Sequence, residues 1–495
     1  MAAELLNGLL AFQPDSPEVK DKREYDRQAR EFIDSLHKYN PSAFLKGADT
    51  PQDPLSVLDP AVNSIAYAFT LRLRIHNAIE KNNTQTLKPG NALWNNLVRF
   101  LESFDPIQMR YAGSEYKKLV EYVEQIARGL DTPALALSPI RSAMLRLDPT
   151  TGCFTTAHLN FIRLCLESRS YAVALPILDN HIHSFPTVIQ NSLRESTEYF
   201  VPCADPVISG EFIHTRSGHS DKVTLAEVQE YYVLGAMAYI GARQFKNAHQ
   251  MLEHVLVIPT TGVANGLMLE AYKKWLLLGC LVNHTTQTPR TASTNAIKQI
   301  RSTAKAYDAL VEAFSEFNNL PKLKAQVAAG REIWAEDGNT GLVEELVQHQ
   351  SRSYVSQLSK TFSAIPVSKI AGSVGGNIDE TTAFVETLIE TGYVNGRLER
   401  SDKPDVGAIL RFYLDPTQGP LAKSEKQQQL GLLEQTERTN RLAEQVKDAD
   451  FRLSITKEYI EYLKRQNKKL APGGGGDAMD VSWDHDDEDM MGDLR

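Results

Sequence analysis

Residues 171–179 read Tyr-Ala-Val-Ala-Leu-Pro-Ile-Leu-Asp, and residues 245–257 read Phe-Lys-Asn-Ala-His-Gln-Met-Leu-Glu-His-Val-Leu-Val. Both begin with the pattern aromatic-x-x-Ala-x-x-x-Leu, as Tyr171/Ala174/Leu178 and Phe245/Ala248/Leu252. Each is preceded by a helical face of apolar and small residues. These faces are Leu159, Ile162 and Leu166 in the first case, and Tyr232, Gly235 and Tyr239 in the second. The small Ala lets two helices approach closely, and the aromatic ring fills the turn between them.

That is the logic of tetratricopeptide-like helix pairs, and it sets the expectation for the chain on either side. Upstream, Lys20 to Tyr39, Ala61 to Glu80, Leu93 to Leu101 and Glu115 to Leu130 read as helices broken by prolines. Pro202 to Asp221 reads as a loop-like insertion between the two pairs. Downstream, Thr340 to Thr361 and Val367 to Val374 are helical, followed by an amphipathic helix from Asn377 that Gly392 stops. Tyr393 to Glu399 and Val406 to Leu414 then read as two strands joined by a turn. Three helices and a hairpin are the layout of a winged helix.

From Ser424 to Leu470 runs a long polar helix. Leu442, Val446, Ala449, Leu453, Thr456, Ile460, Leu463, Asn467 and Leu470 step alternately by four and three. A heptad seam of that kind buries against another helix, and nothing downstream can receive it. The last 24 residues hold eight acids and one base and read as a solvated tail. The expected organisation is an N-terminal helical region (1–150), helical repeats (151–335), a winged helix (336–420), the heptad helix (421–470) and the tail (471–495). The fold class is mainly α.

The chain has 495 residues, room for two to four domains, with 53 Lys and Arg against 62 Asp and Glu and a net charge of −9. Removing the tail's −7 leaves about −2 for the remainder. A hydrophobic fraction of 42% excludes a wholly disordered chain. No run of about 18 apolar residues occurs, so no membrane helix is expected. The four cysteines, Cys153, Cys165, Cys203 and Cys280, are scattered with no C-x-x-C, which argues against a disulfide scaffold or a paired-Cys zinc site.

Catalytic motifs are missing. There is no phosphate-binding P-loop, no G-x-G-x-x-G after a strand and no G-x-S-x-G elbow. The Gly-rich run Ala371 to Gly376 reads as a linker turn. His181-Ile-His183 resembles the start of a zinc isopeptidase motif. The positions where that motif needs Ser and Asp hold Asn191 and Arg194, and a cation there repels Zn²⁺. Cys203, His214 and His219 share one loop, expected to be solvated. No metal and no cofactor are expected.

A winged helix raises a nucleic-acid reading, because its third helix can enter a major groove. Asn377 to Thr391 contains Asp379, Glu380, Glu386 and Glu390 and no base, so phosphates would repel it. The wing carries Arg397, Arg400 and Lys403, but Glu399 and Asp402 interleave them. Protein partners are the stronger expectation. A hairpin edge can extend a neighbour's sheet, and the residues assigned to this wing are Tyr393, Val394, Leu398 and Ile409. Those assigned to the terminal seam are Leu442, Val446, Leu453, Ile460 and Leu463.

The order of repeats, winged helix and long terminal helix resembles the PCI-domain family, whose members are scaffold subunits of the proteasome lid, the COP-nine signalosome and translation initiation factor three. The residues that carry the resemblance are Leu164 to Leu166, Tyr171 to Asp179, Tyr231-Tyr232 with Gly235 to Gly241 and Phe245, Met268-Leu-Glu-Ala-Tyr-Lys-Lys274 and Leu358 to Phe362. The signalosome branch matches best. The resemblance implies a non-catalytic subunit, cytoplasmic and nuclear, whose partners are other PCI subunits and zinc-isopeptidase-type subunits. It implies that the assembled complex removes a ubiquitin-like modifier from cullins, touching cullin-RING ligases only indirectly. A proteasome-lid or initiation-factor subunit is the neighbouring alternative, and a PCI-type nucleic-acid binder the one from another class.

Overall fold

The computed structural model describes residues 2–12, 21–45, 53–81, 83–186, 201–203, 209–258, 263–283, 294–316, 319–400, 408–413, 418–454, 459 and 461–464. The chain divides into two compact units, 1–357 with 369–377, and 358–368 with 378–495. One apolar core runs from Leu5 to Leu346 within the first unit.

The first unit is built from helix pairs closed by one recurring turn. Asp131, Arg169, Arg243 and Gly338 all sit at positive φ, between 52° and 65°. In each turn the next residue's N–H reaches back five residues to a helical carbonyl. The bonds are Thr132 to Ala127 (3.0 Å), Ser170 to Cys165 (2.9 Å), Gln244 to Tyr239 (2.9 Å) and Asn339 to Trp334 (2.8 Å). This closure satisfies carbonyls that a helix end otherwise leaves open, and it reverses the chain within three residues. The next helices then start at once, as Tyr171–Leu178, Phe245–Val257 and Thr340–Leu358.

The template residues sit as their spacing requires. Ala174, Leu178, Ala248 and Leu252 are all buried, while Tyr171 and Phe245 are half-buried at the turns. The helix Leu225–Gly241 is the hub against which both pairs pack. A Cβ on its Gly241 would stand 2.5 Å from a ring carbon of Tyr171, and one on Gly235 would stand 2.8 Å from Cδ2 of Leu178. Close backbone approach is therefore supplied by Ala on one helix and Gly on the other.

Tyrosine hydroxyls tie successive layers together. Tyr239 donates to Asp179 (2.6 Å), Tyr272 to Asp308 (2.9 Å) and Tyr307 to Asp337 (2.8 Å). Lys273 pairs with the same Asp337 at 2.6 Å. The rings supply buried area, and each hydroxyl avoids the cost of an unmade hydrogen bond.

Upstream, the helix Ser64–Glu80 is enclosed so fully that every residue from Ile65 to Leu71 is buried. Its Arg74 is buried too, pairing with Asp53 at 2.6 Å and donating to the carbonyl of Phe44 at 3.0 Å. The insertion after Pro202 departs from the expectation of a solvated loop. It contains a short helix, Ser209–Phe212, and it buries Cys203 and His219. Cys203 donates to the Lys22 carbonyl (3.2 Å), and His219 Nε2–H donates to the Met109 carbonyl (3.1 Å). A loop's polar atoms can be buried only when they are paired in this way.

The second unit holds a three-stranded antiparallel sheet in the order β1-β3-β2: Ala364–Pro366, Ala408–Phe412 and Gly396–Arg400. The helix Ile378–Glu390 precedes the hairpin, and the helix Glu425–Ser454 follows it. Strand β1 is too short to show alternation and was not visible in the sequence. Among the described residues no helix is long and apolar enough to cross a membrane.

Two predictions follow from the packing. Gly241→Ala should destabilise the protein by about 1–2 kcal/mol, because the Tyr171 ring must move from its packed position. Gly235→Ala should be neutral, because the flexible end of Leu178 can yield and Ala favours the helix by up to about 1 kcal/mol. Chemical denaturation of the two variants checks the contrast.

The other prediction concerns pH. Burial lowers His158 and His219 from 6.5 to about 4 each. His158 Nδ1 accepts from the Thr155 N–H (3.1 Å) and Nε2–H donates to the Thr151 carbonyl (3.2 Å), so the folded ring is neutral. The unfolded chain takes up protons below pH 6.5, so this stability is full above that value and is lost as pH falls towards 4. The loss is roughly 3 kcal/mol per ring. Stability measured by chemical denaturation from pH 7 to 4.5 should fall steeply, and His158→Gln should flatten the slope.

Candidate interaction surfaces

The hairpin is positioned by the end of the helix before it. Gly392 adopts φ +79°, as its expected stop role requires. The N–H groups of Tyr393 and Val394 then both bond to the Leu388 carbonyl, at 2.9 and 3.2 Å. Those bonds hold the chain in a turn, so β2 starts at Gly396 and not at Tyr393. Gly396 is needed there, since a Cβ would stand 2.9 Å from the Arg411 carbonyl oxygen.

This changes the footing of the wing residues. Tyr393 lies in the turn and is exposed; Val394 also lies in the turn but is only 2% exposed, so it serves the unit's own core. Ile409 lies on β3, the central strand, opposite Glu399 of β2 and Pro366 of β1. Both its backbone edges are occupied, so it cannot pair with a neighbour's strand. Leu398 alone of the four lies on an edge strand, β2, and it is half-buried opposite Leu410.

The two edges differ. Strand β1 ends at Pro366, which has no N–H to donate. Among the described residues, nothing pairs with the outer edge of strand β2. Its side chains are held by a charge cluster in which Glu399 meets Arg397 at 2.6 Å and Arg411 at 3.1 Å. Arg397 and Arg411 stand directly opposite each other in the register, and Glu399 relieves that repulsion. Its carboxyl pKa is lowered by the Arg411 hydrogen bond. One base of the wing is thereby neutralised in place; Lys403 and Asp402 lie outside the described residues. The helix Ile378–Glu390 presents Asp379, Glu380, Glu386 and Glu390 on its exposed side.

The long helix Glu425–Ser454 carries the second surface. Leu442, Val446 and Leu453 are 52%, 64% and 50% exposed, and Leu463 is 40% exposed in a further helical stretch. Ile460 lies outside the described residues. The seam also reaches further back than expected. Steps of three, four and three from Leu442 lead to Thr439, Gln435 and Leu432, and Leu432 is 69% exposed. Two polar residues hid that continuation. Leu430 and Leu433 are exposed on other faces of the same turn. A run of exposed leucines on one polar helix is surface that water disfavours and another protein can cover.

Among the described residues no group of three or more His, Cys, Asp or Glu is placed to hold a metal ion. His183 lies against Gly152, its N–H bonded to the Gly152 carbonyl at 2.9 Å; Asn191 and Arg194 lie outside the described residues. All four cysteines are free and buried, and burial raises every one of their thiol pKa values.

Residues 26–297 match the family model of COP9 signalosome complex subunit 3, N-terminal helical repeats. The chain is 31% identical to the COP9 signalosome complex subunit 3 of Emericella nidulans, over 97% of both chains. It is 25% identical to that of Neurospora crassa over 99% of both, and 24% identical to that of Arabidopsis thaliana over 74% of both. A helical-repeat match that spans both template pairs, together with whole-length similarity, leads to one conclusion: the chain belongs to the COP9 signalosome subunit 3 family.

Proposed function

We propose that this subunit is a non-catalytic scaffold. It joins its neighbours through the open β2 edge and the terminal helix, within a complex that removes a ubiquitin-like modifier from cullins. The zinc isopeptidase chemistry belongs to another subunit, and cullin-RING ligases are reached through the assembly. The observation that carries this reading is the exposure of Leu432, Leu442, Val446, Leu453 and Leu463 on the terminal helical stretches. Such a seam on a lone helix leaves roughly 1.5–3 kcal/mol per large side chain unrealised until a partner helix covers it. The open edge of β2 supports the same reading, because unpaired strand edges add a neighbour's strand readily. The family resemblance supports a cytoplasmic and nuclear location.

Substituting Leu442, Val446 and Leu453 together by Asp tests the seam. Because the three side chains are exposed, the melting temperature of the isolated chain should stay within about 3 °C. Recovery of the other subunits by affinity purification should fall at least tenfold. Truncation after Leu414 should release the chain in the same way. Undiminished recovery with either variant sinks the seam as the assembly element.

A further inference from the structure

Val201 and Pro202, with Glu211 to Ser217, close one side of a cavity of about 400 Å³ within the first unit. The other sides come from the helix Lys22–Lys38 and from the turn at Arg110 and Tyr111. Three arginines, Arg30, Arg110 and Arg216, line it together with His214 and Ser217. Arg30 is paired with Asp26 at 2.9 Å and lies over the Tyr111 ring. Arg110 and Arg216 have no carboxylate partner among the described residues. Arg110 is held by other means, donating to the Pro202 carbonyl at 2.7 Å and stacking 5.1 Å from the Phe212 ring centre.

The loop that bears Arg216 is fixed against the turn that bears Arg110. A Cβ on Gly113 would stand 2.3 Å from the Ser217 carbonyl oxygen, and one on Gly218 would stand 2.7 Å from the Ser114 nitrogen. Gly218 also sits at φ +81°. His219, buried beneath, bonds to Ser217 (3.0 Å) and to the Met109 carbonyl (3.1 Å). The Arg216 N–H donates to His214 Nδ1 at 3.2 Å. Two glycines and a buried histidine thus hold two guanidinium-bearing segments together. Asp34 and Glu211 share the lining and oppose a long polyanion such as nucleic acid.

We propose that this cavity binds a single phosphoryl group whose carrier places a cationic group beside it. Arg110 and Arg216 bind the oxyanion, for which planar guanidinium forks are suited. Asp34 receives the adjoining cation, and the cavity has room for both groups. A phosphorylated side chain beside a lysine and a free small phosphomonoester with an amine share this chemistry.

Titration of the full chain tests it, with O-phosphoethanolamine and with a fluorescent Lys-phosphoserine peptide. Saturable binding of either at one site, weakened roughly tenfold or more by Arg216→Gln, is expected. Tighter binding of the peptide assigns the phosphorylated side chain; tighter binding of phosphoethanolamine assigns the small molecule. Arg110→Gln should act alike, and exposed Arg216 keeps the test valid if that variant misfolds. Arg169→Gln, on a distant turn, should change nothing. The proposal is overturned if neither probe binds at millimolar concentration, if the unphosphorylated peptide binds equally, or if Arg216→Gln leaves affinity unchanged.

Discussion

The close approach of consecutive helices governs the first unit. Two helices joined by three residues can lie side by side only where the side chains between them are small. Ala174 and Ala248 meet that need within the pairs, while Gly235 and Gly241 meet it on the hub helix. The reversal itself needs a residue at positive φ, and three of these turns use Asp131, Arg169 or Arg243 instead of glycine. Each of these carries the modest strain of an L residue in that region. The hydrogen bond that closes each helix holds it in place.

Polar side chains act as fasteners over this packing. Tyr239, Tyr272 and Tyr307 each send a hydroxyl to an aspartate on a neighbouring segment. Burying a large ring contributes much stability without fixing its direction, and the single hydrogen bond at its tip sets the register of one layer on the next. Arg74 plays the same part upstream, with Asp53 and the Phe44 carbonyl as its partners. Pro202, Cys203 and His219 of the insertion are held by the same means, through Arg110 and the carbonyls of Lys22 and Met109.

The second unit shows the opposite economy of surface. Among the described residues, its sheet has one edge ended by Pro366 and one left unpaired, and its long helix keeps leucine and valine in water. Gln435 and Thr439 interrupt the seam between Leu432 and Leu442. Polar positions in a seam weaken indiscriminate association and favour one register of pairing. The acidic helix Ile378–Glu390 and the Glu399 cluster keep this unit from presenting a continuous basic face.

Periodic features were legible in the sequence. Spacing alone determined the helix pairs, the template residues that become buried and the stop at Gly392, because a residue's place on a helix depends only on its position along the chain. The tertiary structure alone decided which wing residues remain available. Val394 and Ile409 match a strand pattern, yet one enters the core and the other lies on the central strand. Strand β1 stayed hidden because three residues carry no period and owe their conformation to β3. Arg30, Arg110 and Arg216 lie up to 186 residues apart in the chain. Their convergence around one cavity rests on glycines and a buried histidine whose partners are distant in sequence, and no local pattern can encode such a meeting.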